Sequence, residues 1–305
     1  MSSRASGALA GRVSIVTGGT SGIGLEVARG LAALGSTTVI VGRGEERARG
    51  IAREVSQRTG NPDVAAVAVT DLSLLSETSR LADTLAQSYP KIHVLVNNAG
   101  AYFRRREVTA EGHERTFALN VLSPFLLTSR LLLQLRAAAP SRVVSIASAA
   151  HEGRSVDFAR LETPDGYGSG FPAYGASKLE LILLTRELAR RLTGTGVTVN
   201  TVHPGFVHSG FAKNNGGGTA AMVSFFGLLF GRSVQKGADT PIFVASDPSV
   251  ATATGLYFSD RTVQAGSAQS QDMTVARQLY ETCVQITGAP AIPEPGVGPS
   301  ARPVT

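Results

Sequence analysis

The chain has 305 residues, 43% of them hydrophobic, with 34 glycines, 6% aromatics and no tryptophan, so its core rests on small and aliphatic side chains. A single cysteine, Cys283, excludes an intramolecular disulfide and a paired-cysteine metal site. The net charge of +6 is scattered, with short clusters only at Arg104–Arg106 and Arg190–Arg191, which argues against a nucleic-acid-binding module.

Residues 1–10 are small and polar without an apolar signal segment, so a flexible N-terminus and a cytoplasmic protein are expected. Val13–Thr17 reads as a short strand that ends in a glycine cluster, and Ile23–Leu34 as the helix after it. Thr38–Val41 is a second strand, Glu45–Arg58 a charged amphipathic helix, and Val64–Val69 a third strand. Ser76–Gln87 is helical, and Val94–Val96 is a strand that stops at Asn97-Asn98-Ala99-Gly100. Residues 111–136 carry one long apolar helical period through Phe117, Val121, Phe125, Leu126 and Leu132. Arg142–Ile146 is a strand, Tyr174–Leu192 a helix, and Val197–Val202 a strand ending at His203-Pro204-Gly205. Short strands alternating with helices of ten or more residues predict a Rossmann-type α/β fold, a doubly wound parallel sheet in a single domain over 11–287.

Two stretches break the alternation. Residues 149–173 lack either periodicity and read as a substrate loop, because irregular segments that long are usually functional or disordered. Residues 210–233 contain the glycine-rich Asn214–Gly218 and the apolar Ala220–Phe230, which is too short to span a bilayer and reads as a lid. The proline-rich tail, 288–305, is expected to be disordered.

The loop Thr17-Gly18-Gly19-Thr20-Ser21-Gly22-Ile23-Gly24 lies between strand and helix. Glycines at 18, 22 and 24 let backbone approach a pyrophosphate, which the helix N-terminus then binds with its N–H groups and dipole. A tight structural turn is the bland alternative. An acidic residue ending the second strand would grip a ribose hydroxyl, whereas here the strand ends at Gly42-Arg43. A guanidinium matches a 2′-phosphate, so NADP(H) is preferred over NAD(H), which stays permitted. Asp71-Leu72 would sit beside the adenine. Tyr174 and Lys178, at i and i+4, share one helix face. A phenol titrating near 10 needs a neighbouring cation to lower it for proton transfer at neutral pH, and Lys178 supplies one. Ser148, just past its strand, is placed to bond a substrate oxygen.

Taken together, Thr17-Gly18-x-x-x-Gly22-x-Gly24, Asn97-Asn98-Ala99-Gly100, Asn120, Ser148, Tyr174-x-x-x-Lys178 and His203-Pro204-Gly205 resemble the short-chain dehydrogenase/reductase family over about residues 11–260. The strings Ala173–Leu179, Arg186–Leu192 and Val202–Gly205 are similar to its retinol-dehydrogenase-like branch. The resemblance implies an oxidoreductase moving hydride between NADP(H) and a small hydrophobic carbonyl or alcohol, in the manner of a carbonyl reductase. It implies that Tyr174 is the general acid/base and that Lys178 tunes it while holding the nicotinamide ribose. Ser148 then orients the carbonyl, and Asn120 holds a water in a proton relay. Asn98, Ala99 and Gly100 would pack by the adenosine ribose, with Pro204, Gly205, Val207 and Ser209 at the nicotinamide end. Two features depart from the common pattern: Ala147 stands where many relatives carry a second serine, and the gap before Tyr174 is longer.

A polyketide-type ketoreductase is the alternative enzyme, and a non-catalytic NADP-sensing protein the alternative from another class. The five histidines form no HExxH or ligand cluster, and no GxSxG elbow occurs, so neither metal catalysis nor a serine hydrolase is supported. Cys283 reads as a small buried hydrophobe. No nucleic acid and no integral membrane segment are expected, and a homo-oligomer, dimer or tetramer, is compatible with the resemblance.

Overall fold

In the computed structural model, which describes residues 7–162, 167–205 and 233–294, the chain begins with β1 (Val13–Thr17), α1 (Gly22–Ala33), β2 (Thr37–Arg43) and α2 (Glu45–Thr59). β3 (Val64–Val69), α3 (Leu75–Ser88) and β4 (Val94–Asn97) follow. The strands pair in the order β3-β2-β1-β4, and all of these pairings are parallel. Parallel neighbours demand crossover helices, and each helix here supplies one.

The single long helix expected over 111–136 is instead broken into pieces. A short α4 (Arg115–Phe117) leads into a π-turn over Ala118–Leu122, then α5 (Ser123–Arg130) and α6 (Leu132–Ala137). The apolar periodicity is genuine, but it does not report hydrogen-bond register. A π-turn inserts one residue into the helical ladder, a device found mostly at functional sites, and the inserted segment holds Asn120.

β5 (Ser141–Ile146) and β6 (Val197–His203) extend the sheet in parallel on either side of α7 (Phe171–Arg191). α7 begins three residues before the expected start, because Gly170 adopts a left-handed φ of 77° and Pro172 stands in the first turn, where its missing N–H costs nothing. Beyond the second irregular stretch come α8 (Val234–Ser246), β7 (Tyr257–Ser259), the antiparallel β8 (Thr262–Gln264) and α9 (Met273–Thr287). β7 and β8 are three residues each, too short for periodicity to register, and went unread in the sequence.

Successive strand residues face opposite cores. Ile15, Val39 and Val143 enter one apolar cluster with α3, α5, α7 and α9, while their neighbours Val16, Ile40 and Val144 enter another with α1, α2 and α8. This two-sided burial is why the strands read as unbroken apolar runs, and it makes the chain a doubly wound α/β domain. The expectation of a disordered tail from Gly288 needs correction up to Glu294. Ile292 is buried, its carbonyl accepts from Arg191 Nη1 at 2.7 Å, and Glu294 pairs with both Arg190 and Arg191. Composition marks this segment as unable to form a core of its own, yet a buried guanidinium on α7 gives it an anchor.

Candidate active site

The strand order reverses at β1 and β4, so their C-terminal ends open a crevice that loops from both sides line. After β1, Gly18 and Gly22 take φ of 64° and 56°, a region that favours glycine. A Cβ on Gly24 would fall on Asn98 Nδ2 and the Gly18 carbonyl, so no side chain fits there. The Asn-Asn-Ala-Gly segment after β4 clamps this loop: Asn98 Nδ2 donates to the Thr17 carbonyl at 2.9 Å. Thr17 Oγ1 in turn accepts from the N–H groups of Asn98 and Ala99, both at 3.0 Å.

The N-terminus of α1 is prepared for an anion. Ser21, its N-cap, makes no side-chain capping bond, and the first turn, Gly22-Ile23-Gly24, holds no acid. The neighbouring α2 has Glu45 and Glu46 in its first turn. Unpaired N–H groups and the positive end of the helix dipole thus make the α1 N-terminus chemically able to hold an anion. Arg43, exposed at the end of β2, stands by this loop, since Thr20 packs against Gly42 and Gly19 N–H donates to Val41 O at 3.0 Å. Asp71 is committed locally: its carboxylate accepts from Ser73 N–H (2.9 Å) and Ser73 Oγ (2.8 Å), and pairs with Arg115 at 3.0 Å. Leu72 is buried in the core.

Four expected site residues converge on the far side of the crevice. The π-turn aims Asn120 at Ala101: Oδ1 accepts from its N–H and Nδ2 donates to its carbonyl, each at 3.0 Å. Asn120 Nδ2 also reaches Ser177 Oγ at 3.0 Å, and Ser177 Oγ donates to Tyr174 O at 2.7 Å. Lys178 Nζ donates to the Ile146 carbonyl at 2.8 Å and lies 5.5 Å from the centre of the Tyr174 ring. A Cβ on Gly100 would stand 3.1 Å from Asn120 Oδ1 and 3.5 Å from Lys178 Nζ, so these three groups meet at one point. Ser148 caps the short turn Ala149–His151, its Oγ accepting from Ala150 N–H at 3.2 Å, and it also hydrogen-bonds the Tyr174 phenol.

The electrostatics differ from the sequence expectation in one respect. Burial pushes the Tyr174 phenol up to about 12, with the Ser148 hydrogen bond acting against it, while burial pulls Lys178 down to about 8. The cost of desolvating a charge therefore dominates at both groups. Around the phenol stand aromatic side chains that spacing did not signal. Tyr102 meets Tyr174 edge to face at 6.2 Å, and Phe171, 48% exposed, stands 6.2 Å away. Tyr102 OH bonds the Ser169 carbonyl, which ties the segment after Gly100 to the start of α7. Ser177 also went unread, since no motif singles out the serine between Tyr174 and Lys178.

Pro204 and Gly205 lie past β6 at the same edge of the sheet. Val207, Ser209 and residues 210–232 of the expected lid lie outside the described residues, as do 163–166 of the substrate loop. Among the described residues there is no group of three or more potential metal-binding side chains, and no helix is long and apolar enough to cross a membrane.

A family model described as short chain dehydrogenase matches residues 12–218. Human retinol dehydrogenase 11 is 36% identical over 285 residues, covering 92% of this chain and 87% of that protein. Among solved structures, an uncharacterised protein from Mycobacterium paratuberculosis superposes with a TM-score of 0.75 at 27% identity, covering 93% of this chain and 96% of its own. The Pseudomonas aeruginosa RhlG/NADP active-site complex gives a TM-score of 0.66 at 30% identity, covering 83% and 95%.

Proposed function

The chain belongs to the short-chain dehydrogenase/reductase family, in its retinol-dehydrogenase-like branch, and is an NAD(P)-dependent oxidoreductase; from that premise we propose that it moves hydride between NADP(H) and a hydrophobic carbonyl or alcohol. The observation that carries this reading is the meeting of Asn120, Ser148, Tyr174 and Lys178 beside an uncapped helix N-terminus.

The cradle fits a dinucleotide. Gly18 to Gly24 and the α1 N-terminus would hold the pyrophosphate, with Thr20, Ser21 and Ile23 in the same turn. Asn98, Ala99 and Gly100 would flank the adenosine ribose, Asp71 and Leu72 the adenine, and Pro204, Gly205, Val207 and Ser209 the nicotinamide end. Arg43 would take the 2′-phosphate, which supports NADP(H) over NAD(H). When bound, the nicotinamide supplies or accepts the hydride. A phenol held near 12 stays protonated at neutral pH, which suits Tyr174 to give its proton to a carbonyl oxygen that Ser148 holds by hydrogen bond. Lys178, near 8, titrates close to neutrality and suits proton resupply, with Asn120 positioning a relay water. Tyr102 and Phe171 supply an apolar wall, which supports a hydrophobic substrate.

Loss of NADPH absorbance with all-trans-retinal, decanal and an aromatic polyketone as substrates tests the reading. Turnover of the aldehydes with a higher kcat/KM for NADPH than for NADH is expected. Turnover of the polyketone alone would make the enzyme a ketoreductase of secondary metabolism. Tight NADPH binding without turnover of any carbonyl would leave a cofactor-sensing protein.

A further inference from the structure

His151 is wholly buried at the end of the short turn that Ser148 caps, and it makes two hydrogen bonds of opposite polarity. Its Nδ1 lies 2.8 Å from the Ser148 carbonyl oxygen, and its Nε2 lies 3.2 Å from the backbone nitrogen of Ser267. A carbonyl only accepts, so the hydrogen must sit on Nδ1. A backbone N–H only donates, so Nε2 must present its lone pair. The two contacts admit one form of the ring, the neutral Nδ1–H tautomer. The loop that brings Ser267 into place turns at Gly266, with φ of 74°, where a Cβ would stand 2.6 Å from Ser270 Oγ and 3.5 Å from His151 Nε2. On its remaining side the imidazole meets Tyr257 edge to face, 5.1 Å between centres. A space-filling core histidine needs shape alone, whereas this ring is held in one orientation by one donor, one acceptor and one aromatic face.

The atom so gripped belongs to Ser148. Its carbonyl oxygen accepts twice, from His151 Nδ1–H and from His151 backbone N–H at 3.3 Å. Its Oγ accepts from Ala150 N–H, which leaves its one hydroxyl hydrogen to point at the phenol of Tyr174 or, with substrate bound, at the substrate oxygen instead. We propose that His151 is a positioning residue that fixes the Ser148 hydroxyl by donating from Nδ1 to the Ser148 carbonyl, with Ser267 enforcing the tautomer. This rests on Ser148 being the group that orients the carbonyl. β7, through Tyr257, and the Gly266–Ser270 loop thus act on Ser148 through His151.

Two variants separate the two ends of the ring. In His151→Asn the side-chain amide keeps a donor where Nδ1 stands and loses the Nε2 contact. His151→Gln does the reverse, keeping an acceptor near Ser267 and losing the donor to Ser148. Measured with NADPH and the faster of all-trans-retinal and decanal, His151→Asn should keep at least about a tenth of the wild-type kcat. His151→Gln should lose about 10²-fold, the usual effect of an ångström-scale misplacement. NADPH affinity should be unchanged in both, because the glycine loop does not touch this ring. Equal losses in the two variants, equal retention, or the reverse order would overturn the proposal, since a purely structural histidine does not distinguish its nitrogens. Ser148→Ala serves as the control. If it keeps full kcat, the role assigned to Ser148 falls; if it is crippled while His151→Gln is not, only the present proposal falls. Should neither histidine variant fold, ¹⁵N spectra of the wild-type ring decide: a proton on Nδ1 supports the assignment and a proton on Nε2 overturns it.

Discussion

Replacing Glu180 with glutamine should stabilise the protein, and increasingly so as pH rises. Glu180 lies on α7, two residues past Lys178, and is only 3% exposed. Burial, aided by the negative charge of Glu114, raises its carboxyl from 4.5 to about 8. At about 1.4 kcal/mol per pH unit that shift corresponds to at most about 5 kcal/mol. The sign follows from which state holds the proton. Below pH 4.5 both folded and unfolded chains keep it, and the stability tied to this group is fully present. As pH rises to about 8 the unfolded chain ionises and the folded one does not, so stability is progressively lost. Glutamine cannot ionise and keeps the shape. Denaturant unfolding of both proteins at intervals from pH 4.5 to 8.5 reads the difference, and the titrations of groups not coupled to Glu180, Lys178 included, cancel in the subtraction. The variant should gain on the wild type steadily through this window, by a few kcal/mol in all, then level off. A difference that stays flat with pH, or that favours the wild type more at pH 8 than at pH 5, would refute an uncharged Glu180.

Arg43→Asp should weaken NADPH by about 1.5–3 kcal/mol, the worth of a charged hydrogen bond, and shift the kcat/KM ratio toward NADH; an unchanged ratio would remove Arg43 from the cofactor site. Lys178→Met should lower both kcat and NADPH affinity, measured by steady-state kinetics and by fluorescence titration, because one ammonium is assigned both tasks. Arg191→Met should cost about 3 kcal/mol in urea unfolding. It removes a buried guanidinium that bonds Glu187 (2.6 Å), Ile292 O (2.7 Å) and Glu294 (2.7 Å) and lies 3.9 Å from the Tyr280 ring centre. Glu187→Met added to Arg191→Met should recover part of that loss, since it removes the carboxylate left partly uncompensated.

The alternation of short apolar runs with amphipathic helices was legible because parallel strands buried on both faces leave no other pattern. The glycine loop was legible because close backbone approach admits few residues, and Asn98-Ala99-Gly100 through the family resemblance alone. Tyr174 and Lys178 were legible from helical spacing. What escaped has physical reasons. Asn120 announces itself only by resemblance, because its aim depends on a π-turn that apolar periodicity cannot distinguish from an ordinary helix. The roles of His151 and Ser177 rest on bonds from 3 to 116 residues away in sequence, set by loop geometry rather than by spacing. The anchoring of residues 288–294 depends on Arg191, whose pairing with a proline-rich segment no local pattern encodes. The phenol's upward shift follows from the depth of its burial, which a motif does not report.

The central claim is that Tyr174 transfers the proton while the glycine loop holds the cofactor independently of it. Tyr174→Phe removes one oxygen and little else, so its kcat with NADPH and the preferred aldehyde, measured beside its NADPH dissociation constant, tests the claim directly. The account predicts a loss of about 10²–10⁴-fold in kcat, the contribution of general acid catalysis, with NADPH binding nearly unchanged. A variant that keeps more than about a tenth of the wild-type rate, well above that range, would show that another group supplies the proton.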